Sequence, residues 1–286
     1  MANLKEIRNR ISSVSSTMQI TSAMKMVSAA KLKKAQDAIT AMRPYSDKLT
    51  ELLQSLSASL DADSGSKFAD NREVNKVLVV AITSNRGLCG AFNTNVIKQS
   101  LNLAENVYAG KQVDFIAIGK KANDILEKKF NVIENNSPVF EDLTFDNVAV
   151  IAQNLMEQFT DGNYDKIEIV YNKFKNAATQ IVMTEQFLPI VPAEGDTASN
   201  ADYIYEPSKV EIVEQLIPKS LKTQLYKSVR DSFASEHGAR MTAMHKATDN
   251  ATELRDQLKL TYNKARQAAI TNEILEIVGG AEALNN

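Results

Sequence analysis

Apolar residues near the start of the chain recur in alternating steps of three and four. The members of this stripe are Leu4, Ile7, Ile11, Val14, Met18 and Thr21, followed by Leu32, Ala35, Ile39 and Met42. This spacing places the side chains along one side of a helix, as in a coiled coil. It predicts a long first helix over residues 3–59, with a kink or a restart at Pro44, whose ring clashes with the preceding turn.

The last quarter of the chain has the composition of one very long helix. Ser208–Ala283 is rich in Ala, Leu, Lys, Glu and Gln, and between Lys219 and Val278 it has one glycine, Gly238, and no proline. These residue types are strong helix formers. Seventy-six residues at about 1.5 Å each would reach roughly 110 Å. A helix of that length needs a partner helix along part of its course.

The two long helices are expected to pair antiparallel, because the segment between them returns the chain to the base of the first. Small residues four apart would allow close approach of the partner: Ala239, Ala243, Ala247 and Ala251. Methionines are expected to fill the seam, with a surface that must slide as the alternative: Met18, Met24, Met26, Met42, Met241 and Met244. The longer helix would leave an unpaired apolar tip that needs a hydrophobic surface elsewhere: Ile270, Ile274, Leu275, Ile277 and Val278.

The middle of the chain has a different pattern. Lys76–Thr83 is a continuous apolar, β-branched run typical of a buried parallel strand. Helical and strand patterns then alternate: helices 94–108, 120–130 and 146–159, strands 113–118 and near Val132, and adjacent strands 166–174 and 180–188. This alternation predicts βαβ units. The predicted fold class is α+α/β: an antiparallel two-helix coiled coil of residues 1–60 and 208–286, with an inserted Rossmann-like α/β domain, residues 74–207.

Composition and charge limit the kinds of partner. The 286 residues are 44% apolar and carry a net charge of −2, which allows one or two folded domains and implies no general attraction to nucleic acid. Residues 1–50 hold nine Lys or Arg against three acids, a balance of +6. This basic arm favours an acidic partner surface, with a solvated helix face as the alternative. No signal peptide and no membrane-spanning apolar run is expected.

Candidate chemistry is sparse. The loop Gly87–Gly90 follows a strand, but it has neither GxGxxG nor a Gly-Lys-Ser/Thr ending, so a tight turn is favoured over a nucleotide site. Cys89, the single cysteine, excludes an internal disulfide and is expected to be a buried structural thiol. His237 and His245 are expected at the surface or in the seam, without metal-ligand spacing. No catalytic constellation, metal site or cofactor site is predicted.

Four motifs carry a resemblance to a known family. They are Ile20–Val27, Ser84–Gly90, Ser235–Met244 with Ala247–Asn250, and Tyr262–Gln267 with Glu273–Val278. Together they resemble the γ subunit of F-type ATP synthases, of the bacterial type, and the match runs end to end. The sequence departs from that family at Asn85, where an acidic residue is common, and at Gly238, where a more helix-favouring small residue is common.

The resemblance implies a central rotor shaft without catalytic residues of its own. Such a shaft couples ion-driven rotation of the c-subunit ring to conformational cycling of the catalytic β subunits for ATP synthesis or hydrolysis. The implied partners are the α and β subunits of the α3β3 hexamer, the ε subunit and the c ring, with no nucleic acid and no cofactor. The implied location is peripheral, at the cytoplasmic face of the bacterial inner membrane, reached only through the complex.

The resemblance also implies three groups of contact residues. A β subunit would be contacted by Met24, Lys25, Arg266 and Gln267. An apolar sleeve would hold the C-terminal tip, Ile274, Leu275, Ile277 and Val278. The c ring would be contacted by Tyr203, Tyr205 and Glu206.

Two other function classes remain open from the sequence. One is a nucleotide-binding enzyme that uses the α/β domain, with the helical arms serving for dimerisation. The other is a static coiled-coil spacer or adaptor. Tight binding of ATP or NAD would favour the first, and absence of rotation in a purified complex would favour the second.

Overall fold

A computed structural model of the protein describes residues 4–57, 67–68, 72–190 and 209–284. Along the chain, two long helices flank a segment of alternating strands and shorter helices, in the order predicted. A π-helical turn, Leu103–Val107, extends α2, and a 3-10 turn, Ser137–Phe140, precedes α4. The elements are α1 (Leu4–Ser57), β1 (Lys76–Ile82), α2 (Phe92–Asn102), β2 (Gln112–Ile118), α3 (Lys120–Leu126), β3 (Val132–Asn135), α4 (Phe145–Thr160), β4 (Lys166–Phe174), β5 (Gln180–Leu188) and α5 (Lys209–Leu284).

The strands form one five-stranded sheet in the order β3-β2-β1-β4-β5. The first four strands are parallel, and β5 runs antiparallel to β4 at the edge. β1 is buried at every position after Lys76, as its unbroken apolar sequence predicts for a central strand. The α/β fold class is confirmed.

Helices cover both faces of the sheet. One face packs with α2 and α3 through a core that includes Val96, Leu103 and Leu126. The other face packs with α4 through Val148, Leu155 and Phe159. The same second core also contains four residues of α5: Ile217, Leu221, Leu225 and Val229. The first part of the long C-terminal helix is therefore also a layer of the α/β fold, which the sequence interpretation did not include.

The chain divides into two compact units. The helix-pair unit consists of Met1–Ser28 with Met241–Asn286, and the sheet unit consists of Ala29–Arg240. Both long helices contribute to both units.

The helix-pair unit contains an antiparallel seam. Arg8 Nη2 donates to the Tyr262 hydroxyl (2.7 Å), and the Thr21 and Thr248 hydroxyls lie 2.8 Å apart. As the residue number rises on α1 it falls on α5, so the predicted antiparallel pairing is confirmed. Val14 lines a surface groove in this unit together with Leu254 and Leu258.

The predicted stripe on α1 is buried or half-buried at every position from Leu4 to Thr21. The same spacing continues through Lys25 and Ser28 to Leu32, Ala35, Ile39 and Met42. One prediction is wrong: the Met26 side chain is 65% exposed, because it lies one residue away from a stripe position. Of the kink or restart predicted at Pro44, the restart is not observed, since α1 continues through this residue. Ile39, Ser46 and Leu49 are buried on either side of it.

None of the described helices contains an apolar stretch long enough to cross a membrane. The described His, Cys, Asp and Glu side chains form no group of three or more that could hold a metal ion.

Candidate functional site

The crevice at the carboxyl edge of the sheet is where this kind of fold places a ligand site. In doubly wound sheets, ligands bind outside the carboxyl ends of the strands where the strand order reverses. Here the reversal falls between β1 and β4, since β1 pairs with β2 on one side and with β4 on the other. The loop after β1, residues 83–91, is the segment that would contact such a ligand.

Helix α5 occupies this crevice. Ser235 Oγ donates to the main-chain oxygen of Asn172 near the end of β4 (2.9 Å). Ala239 packs against Cys89 and Phe92. A Cβ placed on Gly238 would lie 3.2 Å from Ala177 Cα, so the glycine permits a close approach of the helix. The crevice is therefore filled by the chain itself, and Ala239 contributes to this contact rather than to the helix-pair seam predicted for it.

Arg240 binds the loop after β1 through its guanidinium group. Its Nη2 donates to the main-chain oxygens of Arg86 (3.1 Å) and Gly87 (3.3 Å), and Nε donates to Gly87 as well (3.3 Å). Its Nη1 lies 2.5 Å from Glu236 Oε1, one helical turn earlier. Both Glu236 and Arg240 are buried. Burial raises the pKa of Glu236, against the lowering effect of the Arg240 charge.

Hydrogen bonds fix the backbone of the loop that Arg240 binds. Ser84 is fully buried, and its Oγ donates to the Arg86 oxygen (2.6 Å) and lies 3.0 Å from Asn93 Oδ1, which accepts from the Ser84 amide (2.9 Å). Leu88 has φ +63°, which is uncommon for a residue other than glycine, and its side chain is 64% exposed. A left-handed residue held in place by surrounding hydrogen bonds is typical of a constrained loop.

His237 is a buried residue of the sheet unit, so its predicted place at the surface or in the seam is wrong. Its ring packs edge-on against Phe233, with centroids 4.5 Å apart. Burial and the positive charges of Arg240 and Lys31 lower the pKa of His237 to about 3, so the ring is neutral at physiological pH. His245 is exposed and lies 3.3 Å from Asp249, as predicted for a surface residue.

Cys89 is the buried thiol that the sequence predicts. Asn93 Nδ2 donates to its Sγ (3.2 Å), and burial raises the pKa of the thiol, which disfavours the reactive thiolate. The contacts of Cys89 are therefore those of a packed core residue.

The end of α5 is the second candidate site. Every residue from Arg266 to Ala281 is exposed. Among them is a group of large apolar side chains, Ile270, Ile274, Leu275, Ile277 and Val278, each about half or more exposed. Contiguous exposed apolar residues of this kind mark an interaction surface.

Comparison with known proteins shows the family. A sequence model described as ATP synthase matches residues 3–284. The ATP synthase γ chain of Flavobacterium psychrophilum is 78% identical over 285 residues, covering 99% of each chain. The γ chain of Flavobacterium johnsoniae is 74% identical over 286 residues, covering 100% of each. The chain belongs to the γ-chain family of ATP synthase.

Solved structures agree with the fold of this γ chain. It is similar to a chain in the rotor of the Euglena gracilis mitochondrial ATP synthase, with a TM-score of 0.67 and 24% identity, covering 93% of this chain and 98% of that one. A second Euglena gracilis structure, of OSCP, F1 and c-ring, gives a TM-score of 0.68 at 23% identity, covering 98% and 94%. The resemblance found in the sequence is confirmed, and with it the function as the γ subunit, the rotor subunit of ATP synthase.

The predicted contact residues of the γ chain lie in different places. Arg266, Gln267, Ile274, Leu275, Ile277 and Val278 are exposed on the end of α5. Met24 and Lys25 are half-buried on α1, Lys25 at a position of the seam stripe. Tyr203, Tyr205 and Glu206 lie outside the described residues.

Sequence reasoning missed the buried pair Glu236 and Arg240. A Glu and an Arg four residues apart on a helix were visible as a potential ion pair. Their burial was not visible, because it depends on the loop after β1, which is about 150 residues away in the chain.

Proposed function

We propose that this γ chain is the central shaft that carries torque between a ring of c subunits and an α3β3 hexamer. The observation that carries the proposal is the end of α5, a helix whose last described turns extend past the seam and expose apolar side chains. Ion flow turns the c ring, the shaft turns with it, and the β subunits respond by changing their affinity for nucleotide. The chain itself supplies no catalytic residue, cofactor or metal to the chemistry of ATP.

The asymmetry of the shaft drives the cycle. Two helices of unequal length present different side chains around the shaft, so each β subunit faces a different surface. Each surface favours a different conformation of the β subunit, and rotation passes these preferences from one site to the next. Contacts dominated by apolar surfaces allow the shaft to slide, whereas strong buried ion pairs to a single β subunit would hold it at one angle.

Arg266 and Gln267 are the proposed contacts with a loop of one β subunit. The guanidinium of Arg266 is exposed, permanently charged and able to donate two parallel hydrogen bonds to a carboxylate. Met24 and Lys25 are the proposed contacts with an acidic segment of a β subunit. The balance of +6 over residues 1–50 supports an acidic partner.

The tip is proposed to turn inside an apolar sleeve of the hexamer. The exposure of Ile274, Leu275, Ile277 and Val278 supports this role, because an apolar sleeve would remove them from water without fixing one rotational angle. Tyr203, Tyr205 and Glu206 are proposed to contact the c ring, and the ε subunit binds beside the sheet unit. These contacts hold the γ chain at the cytoplasmic face of a bacterial inner membrane.

A rotation assay tests the proposal. The purified complex is fixed to a surface through the hexamer, and a probe is attached to a cysteine introduced at Lys111, an exposed turn residue, while the native Cys89 is buried. Added ATP is expected to turn the probe in one direction, in three steps per revolution. A probe that stays still while the complex hydrolyses ATP would instead identify a static adaptor.

A binding experiment separates the shaft from a nucleotide-binding enzyme. Equilibrium dialysis of the isolated chain against ATP and against NAD is expected to give no tight site, since α5 fills the crevice at β1 and β4. A stoichiometric site for either nucleotide on the isolated chain would contradict the proposal.

A further inference from the structure

Arg240 lies on α5 at the point where the sheet unit ends. It is the last residue of the sheet unit on α5, and Met241 begins the part of the helix that belongs to the helix-pair unit. Both long helices run from the sheet unit into the helix-pair unit, so torque that enters through the sheet unit can pass along them. The last contacts that α5 makes inside the sheet unit therefore determine how firmly the helix turns with the sheet.

Those last contacts are stiff and buried. The Arg240 guanidinium uses three of its nitrogens at once, two on the carbonyl oxygens of residues 86 and 87 and one on Glu236. The planar fork of arginine fixes direction as well as distance, which a lysine ammonium cannot do. Glu236 in turn fixes the guanidinium against its own helix, so rotation of α5 about its axis would break all these bonds together.

The bound loop is itself attached to the sheet. Ser84 Oγ holds the same Arg86 oxygen that Arg240 binds, and Asn93 at the start of α2 holds Ser84. On the other side, Asn85 Nδ2 donates to the Ser137 oxygen (3.0 Å), and Asn85 Oδ1 accepts from the Lys120 amide (3.0 Å). The loop is thus connected to α2, to α3 and to the turn before α4, and it cannot move without them.

We propose that Glu236 and Arg240, bound to the carbonyl oxygens of residues 86 and 87, form the joint through which the sheet unit turns helix α5. This inference rests on the proposed shaft function. In it, Arg240 is a positioning residue: it touches no nucleotide and acts by keeping the helix in register with the sheet.

The test uses the assembled, membrane-bound ATP synthase that contains the full chain. Two variants remove the joint: Arg240→Lys, which keeps the charge but loses the fork, and the double variant Glu236→Gln with Arg240→Met. The double variant leaves no buried charge unpaired, so it tests the bonds to the loop without a misfolding penalty from an isolated ion. The measured quantity is the number of protons pumped per ATP hydrolysed.

We expect both variants to keep ATP hydrolysis and to lower the pumping per ATP by about twofold to thirtyfold, the range over which single substitutions change coupling between distant sites. The matched control is Arg230→Lys. Arg230 also binds α5 to the sheet unit, through the Leu143 oxygen (3.0 Å), but it lies almost three turns before the end of the unit. It is expected to leave the pumping per ATP at the wild-type value.

Two results would overturn the joint: wild-type pumping per ATP in the double variant, or an equal loss in Arg230→Lys. Hydrogen exchange of the full chain gives an independent readout, and the amides of residues 86–90 are expected to exchange faster in Arg240→Lys. Unchanged exchange there also rules the joint out. Failure of the wild-type complex to rotate would instead reject the shaft function, so the two failures are distinguishable.

Discussion

Gly119 marks the closest backbone approach at the carboxyl edge of the sheet. It has φ +119°, and a Cβ placed on it would lie 2.2 Å from the Thr83 carbonyl oxygen. Thr83 Oγ1 donates to the Gly119 oxygen (3.2 Å) and accepts from the Ala122 amide (2.9 Å), which ties β1 to the start of α3. Only glycine fits this position, because both the conformation and the space exclude a side chain.

We predict that Gly119→Ala lowers the free energy of unfolding by about 2–4 kcal/mol, since backbone strain and overpacking add. Urea unfolding of the full chain measures the change. Gly110→Ala is the control: Gly110 also has positive φ, but among the described residues no atom beyond its chain neighbours lies within 4 Å of its added Cβ. It is expected to cost about 1 kcal/mol, from strain alone. Equal losses in the two variants would show that the Thr83 contact is unimportant.

His237 makes the stability of the chain depend on pH. Its folded pKa of about 3 lies below the usual value of 6.5 for an unfolded histidine. The unfolded state therefore binds the extra proton between these values, and stability falls as the pH falls below 6.5. Glu236 acts in the opposite direction, because its folded pKa is raised. The positive charges of Arg240 and Lys31 also act on the imidazole.

The comparison of wild type with His237→Phe isolates the histidine. Between pH 7 and pH 5 the wild type is expected to lose about 2 kcal/mol more than the variant, because only wild type can take up the proton on unfolding. Phenylalanine keeps the edge-on packing against Phe233. Urea unfolding at the two pH values measures the difference, and parallel losses in both proteins would contradict a buried neutral imidazole.

At the scale of elements, α5 has different surroundings along its length. Ile217–Val229 packs in the core of the sheet unit, Thr248–Tyr262 contacts α1, and residues 267–281 are exposed. One continuous helix thus belongs to a domain core, a coiled-coil seam and a free end.

We predict that deleting residues 267–286 changes the free energy of unfolding of the full chain by less than about 0.5 kcal/mol, because residues 267–281 are exposed. Coupled ATP synthesis by the complex is expected to fall, because the tip can no longer be held in its sleeve. Leu258→Ala is the contrasting change: Leu258 is half-buried in the groove beside α1, and its truncation is expected to cost about 1–3 kcal/mol. Normal ATP-driven pumping by the truncated complex would count against the sleeve.

The helices and strands could be predicted from the sequence because their apolar residues recur at clear helical or strand spacings. Both strands of the final hairpin, 166–174 and 180–188, are observed with the predicted bounds. The place of α5 in the sheet core could not be predicted. Ile217, Leu221, Leu225 and Val229 recur every four residues, and this spacing fits a coiled-coil seam and a domain core equally well.

At the residue scale the sequence was less informative. Asn85 was recognised as a departure from the family, but the hydrogen bonds that it makes depend on two residues distant in the chain. Its amide donates to the Ser137 oxygen and accepts from the Lys120 amide, whereas an aspartate could only accept. The burial of Glu236, His237 and Arg240 likewise follows from long-range packing that no local pattern contains.

At the scale of the whole molecule, function depends on contacts with other chains. We predict that Arg266→Ala lowers coupled ATP synthesis by about tenfold or more, the effect of losing a charge-assisted hydrogen bond worth about 1.5–3 kcal/mol. The fold of the chain is expected to remain intact, because Arg266 is exposed. Synthesis rates in membrane vesicles measure the effect.

Lys264→Ala is the control for Arg266, since it removes an exposed charge two residues away. It is expected to keep synthesis near the wild-type rate. Arg266→Lys is expected to be intermediate, because it keeps the charge without the fork. Wild-type synthesis by Arg266→Ala would remove this residue from the proposed β-subunit contacts.

The packing of α5 into the sheet unit has a consequence for biosynthesis. The core remains incomplete until Val229 has left the ribosome, and the basic N-terminal helix finds its partner only after Tyr262 has followed. During almost the whole of translation the apolar stripe of α1 is therefore uncovered, which exposes the nascent chain to aggregation. We expect chaperones that bind apolar segments to associate with this chain early and to leave it only near the end of its synthesis.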